Sequence, residues 1–322
     1  MKDLDEKDCR LLYELDMDSR RSYQQLGRKL RLGKNTVRYR VEGLKKSGII
    51  KGFHAMINYG LLGKIGFRIY LSLEDATPEK EKEMIAFLAA KNEVVWLASM
   101  DGRHNLGAFV IVENLKAMDD FWNEFLEKYI SHIGERLITV LSSVYYFSAA
   151  YLSKSKKNTF MVGMSAIGKE DVGELDVAIL HLLAGNAVMP LVEIAQKLKK
   201  TPKTILARMK SLEERKILLG YKCILDFEKL GYEHYRIAFD LFKLTWQRET
   251  HFREFSMQHP NIVSMERHIG GYDFEIALQV KNAAELRIIL DELRKQFSDI
   301  IRSHQILHIY EEHKNTYLPI KE

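Results

Sequence analysis

GKNTVRYRVEGLKKSGIIKGF, residues 33–53, has a counterpart in TPKTILARMKSLEERKILLGY, residues 201–221, at an offset of 168. Inside the first stretch Val37, Val41 and Leu44 fall three and four apart, the spacing of one helix face, and Ile205, Met209 and Leu212 repeat it. The offset extends well beyond this stretch. Asp8, Leu12, Leu15, Lys29, Leu30, Thr36, Arg40, Leu44, Gly52 and Gly63 meet Asp176, Leu180, Leu183, Lys197, Leu198, Thr204, Arg208, Leu212, Gly220 and Gly231. Solenoid repeats run to about 20–50 residues, so a period this long marks a duplicated pair of modules within one chain.

Each copy divides in two. Residues 8–15, 23–30 and 35–46 each carry apolar side chains at helical spacing, with connections short enough to require a compact three-helix unit. A β-prone run, IIKGFHAMIN (49–58), follows Gly48. Beyond it FRIYLSLE (67–74) alternates, placing Phe67, Ile69, Leu71 and Leu73 on one side, matched by Tyr235, Ile237, Phe239 and Leu241; this reads as a sheet with one buried face. A helix (79–91; 248–259), two apolar runs near 94–100 and 106–112, a helical stripe from Met118 to Tyr129 and a strand near 137–147 complete a βαββαβ order. The expected fold class is therefore α+β: two copies of a winged helix-turn-helix unit followed by a ferredoxin-like sandwich. The expected bounds are 1–60 and 61–152, a linker at 153–173 with no sustained period, then 174–228 and 229–322.

The bulk numbers permit this reading and exclude others. A chain of 322 residues is longer than one core usually grows. Two cysteines, at unmatched repeat positions, make no disulfide framework. The charged amino terminus and the lack of a long apolar run point away from a leader peptide or membrane span, so a cytoplasmic location is expected.

The order of three helices, strand, then βαββαβ resembles the Lrp/AsnC (feast/famine) family of transcription regulators. The resemblance is carried by Asp8 with LLYEL, by LGRKLRLGKNTVRYRVEGLKKSGIIKGF and by GGYDFEIALQV (270–280). It implies double-stranded DNA as partner, no cofactor, pairing and larger homo-oligomers through the sandwich units, and a small effector, commonly an amino acid. In the family that effector binds near a glycine-containing turn between the second and third strands, which here is Gly270, Gly271, Tyr272 and Asp273. At the matching positions of the first copy, Gly102 is kept but Arg103, His104 and Asn105 replace the rest.

A helix in the major groove must show base-reading side chains while its neighbours neutralise phosphates. Residues 8–50 hold eleven Lys or Arg against five acids, a surplus of +6 that exceeds the +5 of the whole chain. Lys34, Asn35, Arg38 and Tyr39 lie near the start of the third helix and off its apolar stripe, where base edges would be met. Arg20, Arg21, Arg28, Lys45 and Lys46 are placed to take phosphates. Residues 176–218 are less equipped, with a surplus of +4 and with Leu206 and Ala207 where the first copy has Arg38 and Tyr39. Thr201, Lys203, Thr204 and Lys210 remain as contacts, chiefly to the backbone of the duplex.

An enzyme alternative shares the fold. Siroheme decarboxylases resemble this family and also occur as paired halves, but their Arg-Phe-Gly and His-Asn-Tyr patterns are replaced here by Gly52-Phe53-His54 and by Arg103-His104-Asn105-Leu106. His304 and His308 share a strand face without a partner at metal-ligand spacing, so no metal is expected.

Overall fold

The computed structural model describes residues 4–153, 161–165 (backbone only), 168, 170–316 and 318–319. The first copy runs α1 (Glu6–Met17), α2 (Tyr23–Leu30), α3 (Lys34–Lys46), β1 (Ile50–Ile57), β2 (Ile65–Leu73), α4 (Pro78–Ala90), β3 (Val94–Asp101), β4 (Leu106–Val112), α5 (Leu115–Tyr129) and β5 (Ile133–Phe147). A short strand, β6 (Met161–Ser165), pairs with the end of β5. It lies in the stretch expected to be a linker without elements; five residues suffice for a strand once an open edge is offered, and no period that short could announce it. The second copy runs α6 (Glu174–Gly185), α7 (Leu191–Lys197), α8 (Pro202–Glu214), β7 (Leu218–Leu225), β8 (Glu233–Leu241), α9 (Trp246–Gln258), β9 (Ile262–Ile269), β10 (Phe274–Val280), α10 (Ala283–Phe297) and β11 (Ile301–Asn315).

The two three-helix units share one core. Leu11, Leu15, Val41 and Ile57 of the first pack in the same cluster as Ile179, Leu183, Met209 and Leu225 of the second. Strand β1 finds its partner in β7, forming an antiparallel two-stranded ribbon across the copies instead of a wing hairpin within either one. Four backbone bonds tie the ribbon down and recur with the copies exchanged. Ser19 N donates to Tyr221 O and Ala187 N to Phe53 O, both at 3.0 Å, while Asn58 N donates to Ile217 O and Asp226 N to Ile49 O, both at 2.9 Å.

The remaining strands join into one sheet, in the order β2-β4-β3-β11-β8-β10-β9-β5-β6, and a further β2–β5 pairing closes eight of them into a ring. A ferredoxin-like sandwich in each copy, with a sheet of its own, was expected. The difference lies in β5 and β11, each 15 residues long. The first part of β5 pairs with β2 of its own copy and the rest with β9 of the other; β11 does the same with β8 and then β3. Helices α4 and α5 cover one outer flank, where Phe67, Ile69 and Leu71 pack with Met84, Leu88, Phe121 and Phe125. On the other flank Ile237, Phe239 and Leu241 pack with Phe252, Leu286, Ile289 and Phe297.

The expected single buried face is thus only half of the arrangement. The opposite side chains of β2 point into the ring and are buried as well, with Arg68 at 3% and Tyr70 at 1% exposure. Arg68 and Arg236 look like solvent-facing residues in an alternating strand, but ring closure removes the solvent.

Candidate nucleic-acid interface

Local sequence fixes the helices of both three-helix units. Ser22 and Gln25 form a reciprocal capping box at the start of α2, with Gln25 N donating to Ser22 Oγ at 3.3 Å and Ser22 N to Gln25 Oε1 at 2.8 Å. Arg31 caps α2 in the left-handed region at φ 54°, and its equivalent Lys199, one residue beyond the Leu198 cap of α7, has φ 52°. At α8, Thr201 Oγ1 accepts from Thr204 N at 3.1 Å and Pro202 takes the first turn, where its missing N–H costs nothing.

Repeat identities that read only as register acquire a role in space. Arg40 of α3 reaches back to α1, donating to Asp8 Oδ1 at 2.6 Å and to Asp5 at 2.9 Å. Its equivalent Arg208 lies 3.5 Å from Asp176, the equivalent of Asp8. Burial alone would raise the Asp5 carboxyl, but hydrogen bonds from Asp8 N and Arg40 hold it below its ordinary value.

With Val37, Val41 and Leu44 buried, the first half of α3 turns Lys34, Asn35, Arg38 and Tyr39 to solvent, Tyr39 at 78% exposure. Among the described residues no ion pair engages Lys34, Arg38, Arg28 or Lys46. Lys45 is half-buried, 3.3 Å from Glu42 and with Nζ 5.5 Å from the centre of the Phe53 ring. An open groove of about 540 Å³ between α2 and α3 is lined by Arg21, Gln24, Lys34 and Lys45, among others. In the second copy Thr201, Lys203, Thr204 and Lys210 are all exposed on α8.

Two expected phosphate contacts are placed otherwise. Arg20 Nη1 donates to Ala187 O at 2.5 Å and to Met189 O at 3.2 Å, and its guanidinium lies 5.4 Å from the centre of the Tyr221 ring. It ties the first unit to the second. Arg21 is half-buried and paired with Glu14 and, at 3.7 Å, with Asp18. Carbonyls and carboxylates close at hand satisfy both guanidiniums, a contact that composition alone does not foretell.

The turn expected to hold an effector is also built differently from its reading. Asp273 Oδ2 accepts from Leu241 N at 2.7 Å; at the matching place Asn105 Oδ1 accepts from Leu73 N at 2.7 Å. An amide serves as well as a carboxylate, so Asp273 acts as a backbone cap and its charge is not what the turn requires. Gly270 and Gly271 have φ of 83° and 66°, and a Cβ on Gly271 would meet Leu137 Cδ1 at 2.7 Å and Thr139 Cγ2 at 2.8 Å. Tyr272 is buried.

Sequence reasoning missed a charged cluster inside the ring. Arg68 Nη2 lies 2.5 Å from Glu266 Oε1, Arg236 Nη2 2.6 Å from the same oxygen, and Arg236 also pairs with Glu275, which accepts from Tyr70 at 2.5 Å. Burial alone would raise the Glu266 carboxyl; Arg236 and Arg68 override it and hold the group far below the ordinary carboxylate range. Glu266, His268 and Glu275 stand within 4.8 Å of one another. Their carboxylates are already committed to arginines, which leaves little for a cation. The signal was present in one place: Arg68 and Arg236 are equivalent across the repeat.

Comparison with known proteins agrees with this geometry. The AsnC-type helix-turn-helix domain matches at residues 4–45 and again at 174–213. An uncharacterised HTH-type transcriptional regulator of Pyrococcus furiosus is 38% identical over 142 residues, covering 44% of this chain and 93% of that protein. The chain belongs to the Lrp/AsnC family of transcription regulators. The regulator Ptr1 of Methanocaldococcus jannaschii is 30% identical over 139 residues, 43% of this chain and 92% of that one. Each such Lrp/AsnC relative therefore corresponds to a single copy of the repeat. Across both copies together, the crystal structure of the siroheme decarboxylase NirDL superposes with a TM-score of 0.63, covering 98% of this chain and 94% of that one at 15% identity. At that identity the likeness is one of fold. No helix among the described residues is long and apolar enough to cross a membrane.

Proposed function

We propose that this Lrp/AsnC protein is a sequence-specific, cytoplasmic DNA-binding regulator in which one chain acts as its own pseudo-dimer. Residues 1–60 and 174–228 form the reading units, and 61–152 and 229–322 the assembly units. The observation that carries the reading is the solvent face of α3. Lys34, Asn35, Arg38 and Tyr39 are exposed together, on a helix whose other face is locked into the core, beside Arg28 and Lys46, which make no ion pair among the described residues. Base edges in the major groove suit Asn35 and Arg38, and the lysines suit phosphates. On α8, Lys203, Thr204 and Lys210 support a second, weaker contact, while Thr201 is occupied as a cap. The first unit supplies most of the sequence preference. Arg20 and Arg21, half-buried and held by carbonyls and carboxylates of the protein, are not assigned to phosphates.

A small effector such as an amino acid is assigned to the Gly270–Gly271 turn, where bare backbone adjoins Leu137 and Thr139 of the other copy. The ligand would touch both copies there, and it regulates only if it prefers one arrangement of them. Assembly into homo-oligomers is assigned to the outer helices, which expose Leu115, Trp246 and Ile288. Binding of genomic fragments by the purified protein over a salt series tests the reading, since neutralised phosphates give a linear fall of log affinity with log salt. Absence of binding in dilute salt would overturn it.

The enzyme reading rests on the likeness to NirDL over the whole chain. Against it, the cavity between ribbon and ring is about 130 Å³, below the roughly 300–1,000 Å³ of sites for larger organic ligands. Loss of a carboxyl group from siroheme on incubation with the protein would reverse this choice.

A further inference from the structure

The likeness of the two copies ends at the inner face of the ring. Strands β2, β3 and β4 of the first copy contribute Tyr70, Trp96, Phe109 and Ile111 to the buried cluster inside it. At the offset of 168 the second copy has Ala238, Ser264, Ala277 and Gln279. Two neighbouring positions show the reverse: Ala98 and Gly107 of the first copy are matched by Glu266 and Glu275 of the second, both buried. One inner face is thus bulky and apolar where the other is small and acidic.

The differences fit each other. A Cβ on Gly107 would meet Tyr70 Cε1 at 3.0 Å and Trp96 Cζ3 at 3.1 Å, with Met100 Cε closer still, so the first copy's own aromatics leave no room for a glutamate there. With Ala238 and Ser264 in their place the second copy has that room, and Glu275 fills it. Across the ring Glu275 Oε2 accepts from Tyr70 of the first copy at 2.5 Å. Glu266 accepts from Arg68 of the first copy as well as from Arg236 of its own. The Trp96 ring lies 4.8 Å and 5.2 Å from these two guanidiniums, so a first-copy aromatic covers an arginine of each half.

Neither half offers this fit to its own kind. A ring of two first halves would set a second Tyr70, Trp96 and Phe109 where Ala238, Ser264 and Ala277 now make space, and would bury two arginines without either glutamate. Two second halves would lack the three aromatics and set four carboxylates against two arginines. Overpacking, a missing large side chain and an uncompensated buried charge each destabilise. Pairing specificity arises from such penalties on the wrong partner as well as from contacts with the right one. We propose that the inner faces act as a pairing filter: a first half accepts only a second half, from its own chain or another copy of it, so every closed ring presents one α3 and one α8. A pseudo-dimer alone does not require that refusal. The filter rests on the ring and not on DNA binding, and either can fail without the other.

A protease site inserted beside Gly168, an exposed residue where a Cβ would meet nothing within 4 Å, lets the folded chain be cut between its halves. Cut and uncut protein are unfolded in urea, returned to buffer and weighed by native mass spectrometry, which tells the halves apart. The cut chain should return as one first half with one second half, or multiples of that pair. Same-half pairs should stay below about one in a hundred, because an uncompensated buried charge is worth more than that factor. A larger share of same-half pairs, or refolding of the uncut chain but not of the cut one, would overturn the proposal. Glu266→Ala tests the charge directly, since it leaves the mixed pair one acid short and gives two second halves two arginines against two glutamates. Pairs of second halves should then rise about tenfold or more, and an unchanged share would also overturn the filter. If that variant does not refold, the native chain decides alone.

Discussion

Arg38 has no counterpart in the second copy, where Leu206 stands in its place at 41% exposure. Arg38→Ala should therefore lower affinity for a preferred sequence by about 1–3 kcal/mol and relax the preference itself. Lys203→Ala should weaken all sequences alike and flatten the salt dependence. Equal losses of specific affinity in a competition assay would contradict the asymmetry. A second residue bears on pH. Burial, with Arg236 adding to it, brings the His234 pKa from 6.5 to about 3. Between these values the unfolded chain binds more protons than the folded one, so stability falls as pH drops through that window. One such group contributes about 1 kcal/mol per pH unit. Urea titrations at pH 7 and pH 5 should show a smaller difference for His234→Phe than for the native protein; an unchanged difference would place His234 in contact with solvent. Which cations face solvent was only partly legible. Arg38 lies off an apolar stripe, and spacing suffices to place it, whereas the engagement of Arg20 depends on the carbonyls of Ala187 and Met189, which spacing does not bring near.

Helix α3 is held at the angle it needs by its link to α1. Arg40 joins an almost fully buried Asp8 and an exposed Asp5, so removing it leaves Asp8 without its cationic partner. Arg40→Ala should cost about 1–3 kcal/mol of stability in chemical denaturation. Arg208→Ala, at a longer and more exposed pair, should cost no more than about 1 kcal/mol. Matching losses would show that the two units are braced alike. Element types and order could be read because each helix has a strong apolar stripe and each β2-like strand alternates. The pairing of β1 with β7 could not. A strand's hydrogen bonds leave no trace in its own side-chain pattern, and partners from different copies are as compatible locally as a hairpin. The span of β5 and β11 was hidden for a related reason: Gly134, Glu135 and Arg136 dilute the apolar start of β5, so the strand could be read only from about residue 137.

The ring distributes its buried charges unequally between the copies. Each contributes an arginine, Arg68 and Arg236, but both carboxylates come from the second, and the first has Ala98 and Gly107 at those positions. Two first copies joined in this way would bury two arginines with no acid between them, whereas one of each copy is balanced. A buried ion pair adds little net stability, but stripping one partner from it is costly. Glu266→Gln should lower unfolding free energy by about 3–5 kcal/mol, and a loss below about 1 kcal/mol would indicate that water reaches the cluster. The shared helical core and the exchanged backbone bonds join the copies into one body, in which α3 and α8 present unlike exposed faces. Selection of bound fragments from a random DNA pool tests that directly when the native protein and Arg38→Ala are compared. The expected result is an enriched site of two unequal parts about one helical turn apart, the stronger part vanishing with Arg38→Ala. A pool with no enriched sequence, or a site of two equal parts that survives the substitution, would contradict it.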